Sequence, residues 1–387
     1  MKVRRFATNF MPLLTGLLLF IAMQPFWIWH APEYLKLLLL VLPIVPMFLN
    51  NNIKGNLLMF SIFLVILLFN VIFHGYGFFF AIFMTVFVFV PFCKEDYGLA
   101  TFHVFRKVLA ICFAISIVQW FCFFLGYSMS SFIIEPLNEV KDYNYYAFPP
   151  LLVVPNIFFN IRYASAFDEP GVVGSICLLI LFIENYNLKN VYNIIILLAG
   201  LCSFSMFFIG GSLIYLLIRY GIKPLYLFFF AFAFLMFYEA TKDNPILDEL
   251  VYARFEYDES KEQIAGLNRS NKELDDYFDS IVGSSSFYFG VDSNTRDQFA
   301  GSYGYKNAIL QFGFIVVSLY VLFFIAYAYK KTKGINFLLF CALLLMTLYQ
   351  RPNLFDVVYV FMFSQFVNAH KEEFSHKLST RHVRKRF

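Results

Sequence analysis

Charge is scarce in this chain: of 387 residues only 14% are Asp, Glu, Lys or Arg. An ordinary water-soluble domain carries about a quarter, so a conventional globular composition is excluded. Paired cysteine spacings are missing too. Cys93, Cys112, Cys122, Cys177, Cys202 and Cys341 stand in or at the ends of apolar runs without any C-x-x-C, which argues against both a disulfide framework and zinc. The six histidines, His30, His74, His103, His370, His376 and His382, make no ligand cluster and read as non-catalytic. A phosphate-binding loop is also lacking, because the Ser- and Gly-rich stretch Gly283 to Val291 follows no strand and reads as a flexible connection.

What the chain has in abundance is apolar surface: 60% hydrophobic residues, 54 of them Phe, and a mean hydropathy of +0.66. A bilayer core of about 30 Å asks for roughly 20 apolar residues per helix, and such runs recur along most of the sequence. The basic start Met1 to Arg5 leads into an apolar run from Phe10 to Ile28. It has the outline of a signal peptide but no small-residue cleavage site. Trp27, Trp29 and His30 close it as an interfacial aromatic belt would, so a retained first helix is expected.

Apolar runs and their punctuation predict helices near 10–29, 34–49, 56–73, 77–92, 105–126, 170–185, 191–206, 208–219, 224–239, 305–329, 335–349 and 353–369. The stretch Val191 to Tyr220 reads either as one long helix or as two, broken at Gly210 and Gly211. Charge favours two, because a single pass would put Arg219, Lys223 and the tail residues Arg381, Arg384, Lys385 and Arg386 outside, against the positive-inside rule. Two passes leave Lys54, Arg106, Lys107, Lys330, Lys331 and Lys333 on the cytoplasmic side, with both termini. The net charge of +4 thus follows topology and does not signal nucleic acid.

The expected fold class is an all-α integral membrane protein of about 12 transmembrane helices with a large, partly helical extracytoplasmic loop. Its units are helices 1–5 over 1–126, an outer loop over 127–169, helices 6–9 over 170–239, the large loop over 240–304, helices 10–12 over 305–369 and a basic tail over 370–387. In the first loop, Pro149, Pro150 and Pro155 precede Ile157 to Phe159, which is too short to span and reads as re-entrant or interfacial. The large loop is acidic, with 13 Asp and Glu against 6 Lys and Arg between Lys242 and Gly304. Two amphipathic helices are expected in it: one from Asn244 and Pro245 through Leu247, Leu250, Val251 and Phe255, and one from Asn271 through Leu274, Tyr277, Phe278 and Ile281. Asp275 and Asp276 fall on an exposed face of the second, where a metal role is not expected.

The stretch with most chemical content is Arg162-Tyr163-Ala164-Ser165-Ala166-Phe167-Asp168-Glu169-Pro170-Gly171-Val172-Val173-Gly174. Pro170 suits the first turn of a helix, Asp168 and Glu169 would lie at the positive end of its dipole, and Gly171 and Gly174 allow close approach. One reading makes Asp168 a helix cap paired with Arg162; the other makes the group a binding site. The stretch resembles the Arg-x-x-(Gly/Ser)-x-Phe-x-Glu-Pro-x-x-x-Gly segment of O-antigen polymerases, polytopic enzymes that polymerise lipid-linked oligosaccharide repeats. Ser203 to Ile214 is similar to a Ser- and Gly-containing break two helices later, and Asn307 to Gly313 follows the long loop as in that family. Ser165 in place of Gly and the doubled acid Asp168-Glu169 are mild departures.

The resemblance implies undecaprenyl-pyrophosphate-linked glycans as donor and acceptor, at the outer face of a bacterial inner membrane, with membrane lipids and a chain-length regulator as further partners and with no cofactor or metal. An Arg fork matches phosphate oxygens with two charge-assisted hydrogen bonds. Arg162 and Arg351 are therefore expected in the catalytic set, with Glu169 as the base that takes the acceptor proton. Arg351 stands between two apolar helices, where charge is costly unless it snorkels to the interface. Arg296, Asp168, Lys306, Asn294 and Gly171 are expected to bind substrate, and Asp292 is a further candidate base. A ligase acting on the same carrier lipid is the near alternative, although the large loop has no His. A flippase is the alternative of another class.

Overall fold

The computed structural model describes residues 2–32, 35, 38, 42–45, 94–136, 143–155, 162–221, 236, 239, 257–258, 263–264, 272–292, 295, 304–350 and 356–371. The chain is mostly helical with few strands. Helix α1 spans Lys2–Ala22 and is followed by a 3-10 turn at Phe26–Ile28; α2 spans Glu95–Phe124. Strands β1 (Phe132–Ile134), β2 (Tyr145–Phe148) and β3 (Leu152–Pro155) come next, then α3 (Pro170–Ile183), α4 (Val191–Cys202) and α5 (Met206–Tyr220). A two-residue pairing of β4 (Tyr257–Asp258) with β5 (Gln263–Ile264) precedes α6 (Lys272–Ile281) and α7 (Ser285–Phe289). The described chain ends on α8 (Tyr305–Lys331), α9 (Ile335–Gln350) and α10 (Val357–Ala369).

Two helices form the centre. In α3 every residue from Val173 to Ile183 is buried, and in α10 every residue from Val357 to Asn368. Both are apolar nearly all round, and a helix of that kind needs neighbours on every side. α4, α5 and α10 pack around α3, while α2 and α8 pack on α10. α1 lies along α2, where a Cβ on Gly16 would stand 2.7 Å from Val104 Cγ1, so the two backbones approach closely.

The outer faces are apolar as well. Ile111, Ile115 and Val118 are exposed along α2, and Val191, Ile194, Leu198 and Leu201 along α4, each set at helical spacing. Continuous stripes of this kind are rare on water-soluble monomers. α2 and α8 are long and apolar enough to cross a membrane; α3, α4, α5, α9 and α10 are shorter apolar helices.

The ends of the bundle differ and are here termed basal and apical. At the basal end Arg106 pairs with Glu184, whose Oε2 also accepts from Asn193 Nδ2 at 3.3 Å, while Glu95 holds Lys331 at 3.0 Å and Lys371 at 2.8 Å. The three-stranded sheet, antiparallel in the order β1-β2-β3, lies at the apical end, where Gln119 Nε2 donates to Pro149 O at 2.7 Å.

Several expectations change. The segment 127–169 contains a sheet that the sequence reading did not foresee, because the alternation of Tyr145 to Phe148 and Leu152 to Pro155 was masked by their burial on both faces. The helical hairpin of α4 and α5 turns at Ser203, Phe204 and Ser205, not at Gly210 and Gly211, which lie inside α5. Gly211 is instead a packing contact, with Met346 Cε 3.0 Å from where its Cβ would be. The first helix stops at Ala22, and Trp29 is buried, its Nε1 donating to Gln24 O at 3.0 Å, so of the two tryptophans Trp27, which is exposed, suits an interfacial belt and Trp29 does not. The stretch 283–291 forms α7 behind a Ser284 cap and is no loose loop. The amphipathic helix expected from Asn271 is α6, with Leu274, Phe278 and Ile281 buried. Its partner from Asn244, the short stretch Ile157 to Phe159, and the helices expected near 56–73, 77–92 and 224–239 lie outside the described residues, apart from single positions in the last.

Candidate functional site

The stretch Arg162 to Glu169 descends to α3 along an irregular path that its backbone hydrogen bonds define. Val153 N donates to Ser165 O at 2.8 Å, Phe26 N to Ala166 O at 2.8 Å and Tyr163 N to Cys202 O at 3.3 Å. These tie the stretch to β3, to the turn after α1 and to the end of α4 respectively. Ser165 has φ +53°, in the left-handed region that glycine enters at no steric cost. Its hydroxyl accounts for the strain being held: Ser165 Oγ lies 2.9 Å from Ser116 Oγ, which lies 2.5 Å from Tyr163 Oη. All three groups are buried.

Arg162 is placed by the turn between α4 and α5. Its Nε donates to Ser203 O at 3.1 Å and its Nη2 to Phe204 O at 3.1 Å. One edge of the guanidinium therefore satisfies carbonyls at a helix end, groups that need partners wherever water is excluded. The turn itself is a Ser-directed one: Ser203 Oγ donates to Gly200 O at 2.6 Å and accepts from Ser205 N at 3.3 Å, while Phe204 takes φ +45°. Gly174 admits it, since a Cβ there would stand 2.6 Å from Ser205 Oγ and 3.1 Å from Ser203 Oγ.

The residue at the N-cap of α3 is Glu169, with extended dihedrals, Pro170 at the first helical position and no side-chain cap bond. Asp168 precedes the cap and is not the capping residue. Its carbonyl accepts from Tyr145 Oη at 2.6 Å. Burial and then the Asp168 charge push the Tyr145 phenol above its ordinary value, so it stays a donor. Gly171 O accepts from buried Ser175 Oγ at 2.7 Å.

Lys306, in the first turn of α8, is paired with Asp275 of α6 at 2.6 Å, and its Nζ lies 5.3 Å from the centre of the Phe278 ring. It fastens the loop helix to the bundle. Asp292 caps a turn, accepting from Thr295 N at 3.0 Å and Thr295 Oγ1 at 2.7 Å. Within α8, beyond Lys306, Gly313 breaks the helix at φ +81°, and Val291 N donates to Leu310 O at 2.8 Å just before that break.

Of the expected site residues, Arg162, Asp168, Glu169 and Gly171 share one stretch, while Lys306 is committed to α6. Arg296, Asn294 and Arg351 lie outside the described residues. Sequence reasoning missed Ser116 and Tyr145. Ser116 and Gln119, one helical turn apart in the otherwise apolar run from Val108 to Leu125, were the available signal for an inward polar face.

No family model matches the chain, and neither a curated protein nor a solved structure matches it.

Proposed function

We propose that this protein is a polytopic enzyme of a bacterial cytoplasmic membrane that joins undecaprenyl-pyrophosphate-linked oligosaccharide repeats into O-antigen or capsular polysaccharide. The observation that carries the reading is the docking of Arg162 on Ser203 and Phe204. The two stretches of the resemblance, 41 and 42 residues apart at the bonded positions, meet at one guanidinium. The apical end is then the outer face, both termini are cytoplasmic, and about twelve apolar segments enter the membrane.

In this reading a sugar hydroxyl of the acceptor attacks the anomeric carbon of the donor. The bond from that carbon to the pyrophosphate oxygen breaks, and the polyprenyl pyrophosphate departs with the electron pair. Arg162, joined by Arg351 and Arg296, stabilises the charge that develops on the leaving oxygen, commonly the largest catalytic contribution. Glu169, with Asp168 and Asp292 behind it, takes the hydroxyl proton. Lys306 with its Asp275 partner sets where the large loop sits over the site. A chain-length regulator would act on the same product.

A second reading, a flippase for the same lipids, draws on Gly313, since helices interrupted within the bundle are common at transporter binding sites. Deletion decides between them on a gel. Loss of a polymerase leaves surface glycolipid with a single repeat; loss of a ligase or flippase removes that band as well. An unchanged long-chain ladder would sink all three.

A further inference from the structure

The hairpin of α4 and α5 is too short for two crossings. α4 has 12 residues and α5 has 15, about 18 and 22 Å at 1.5 Å per residue, against a hydrocarbon core of about 30 Å. Both open ends lie at the basal side. Asn193 in α4 bonds Glu184 beside Arg106, and Arg219 in α5 bonds Asn336 at 3.4 Å at the start of α9. A hairpin that crosses twice and one that turns back inside both return the chain to the same side, so the positive-inside distribution is the same for either.

α2 supplies an internal ruler. It carries no charged residue from Val108 to Leu125, and Ser116 sits midway along that stretch. Ser116 lies just over two turns before the end of α2 at Phe124, about 12 Å down its axis. The Ser165 and Tyr163 hydroxyls meet it there, and Tyr163 N meets Cys202 O at the hairpin tip. Gly174, one turn into α3, meets Ser205. Irregular backbone at that depth requires internal partners, and Arg162 and Tyr163 N supply them to the carbonyls of Cys202, Ser203 and Phe204.

We propose that α4 and α5 form a re-entrant hairpin that enters from the basal side and turns back within the bilayer, so that Arg162, which caps its tip, meets a lipid-borne phosphate below the outer headgroup level. The ligand class rests on the polymerase reading; the depth does not. The exposed stripe Val191, Ile194, Leu198 and Leu201 then faces acyl chains along its whole length. A phosphate on an isoprenoid lipid reaches this level by moving within the membrane, whereas a soluble nucleotide would have to leave water.

The test uses the full chain in vesicles, with a fluorescent amino acid incorporated singly at Leu201, Val118 or Leu125, all exposed positions. Quenching by phospholipids brominated at graded acyl depths reports how far each position lies from the headgroups. Position 201 should be quenched most by acyl-chain bromine, as 118 is, while 125 responds to quenchers near the headgroup. A 201 profile that coincides with that of 125 would overturn the hairpin. Undecaprenyl phosphate added to the vesicles should shift the 201 emission, and Arg162→Ala should lose the shift. An equal shift with inorganic phosphate in the buffer, or none with the lipid, would overturn the ligand class. Neither result depends on whether chains grow, so failure of the polymerase reading registers separately.

Discussion

The basal and apical ends of the bundle satisfy their polar groups in opposite ways. At the base, side-chain charge meets side-chain charge: Arg106 with Glu184, and Lys331 and Lys371 with Glu95. In the apical half, an Arg fork meets backbone carbonyls, buried hydroxyls meet each other, and the chain takes left-handed turns at Ser165, Phe204 and Gly313. Regular helices with paired charges make a scaffold. Irregular backbone with partners supplied from elsewhere is where a fold departs from local rules, and such departures cluster at functional sites.

The largest loss of stability is expected at the base. Arg106 is buried and so is most of Glu184, and removing one member of a buried pair costs about 3–5 kcal/mol because the other charge is left uncompensated. Arg106→Ala should therefore lower the thermal midpoint in detergent and reduce yield. An unchanged midpoint would show that the basal network is not the scaffold.

At the apex the largest effect is expected at Gly313. A side chain there would adopt a left-handed conformation and meet Phe289 Cα at 2.7 Å, which together cost about 2–4 kcal/mol. Gly313→Ala should release α7 from α8, read as new protease cleavage between residues 282 and 292; unaltered digestion would contradict it.

A smaller effect separates two glycines. Gly174→Ala pushes on Ser205 and should cost about 1–3 kcal/mol by overpacking, whereas Gly210 has open space beside it and its change to Ala should be neutral or stabilising by up to about 1 kcal/mol. Melting curves of the two variants check this, and equal losses would move the break back to the glycine pair.

That contrast also marks how far the sequence could be read. Most of the described helices after residue 94 were legible in apolar runs, although α2 begins at Glu95 and not near 105 and α7 was read as a loop; α6 was legible in its spacing of Leu274, Phe278 and Ile281. The break in the hairpin was not, because adjacent glycines are the stronger local signal, while the actual turn depends on Ser203 Oγ donating to the Gly200 carbonyl and on Arg162 arriving from another segment. The sheet escaped for a related reason: strands buried on both faces show no alternation. Of the candidate site, the stretch Arg162 to Gly174 was visible as charge and glycine at a helix start. Its tertiary partners, Ser116, Tyr145 and the Ser203 carbonyl, carry no local mark of their role.

Glycosyl transfer on a carrier lipid is the role proposed for the Arg162 segment. Its most direct test is purified protein in liposomes supplied with lipid-linked repeats, with product length read on a gel. A ladder of longer glycans is expected, which Arg162→Ala abolishes while the protein still elutes as a single species. Repeats that cross the bilayer but never lengthen would contradict it.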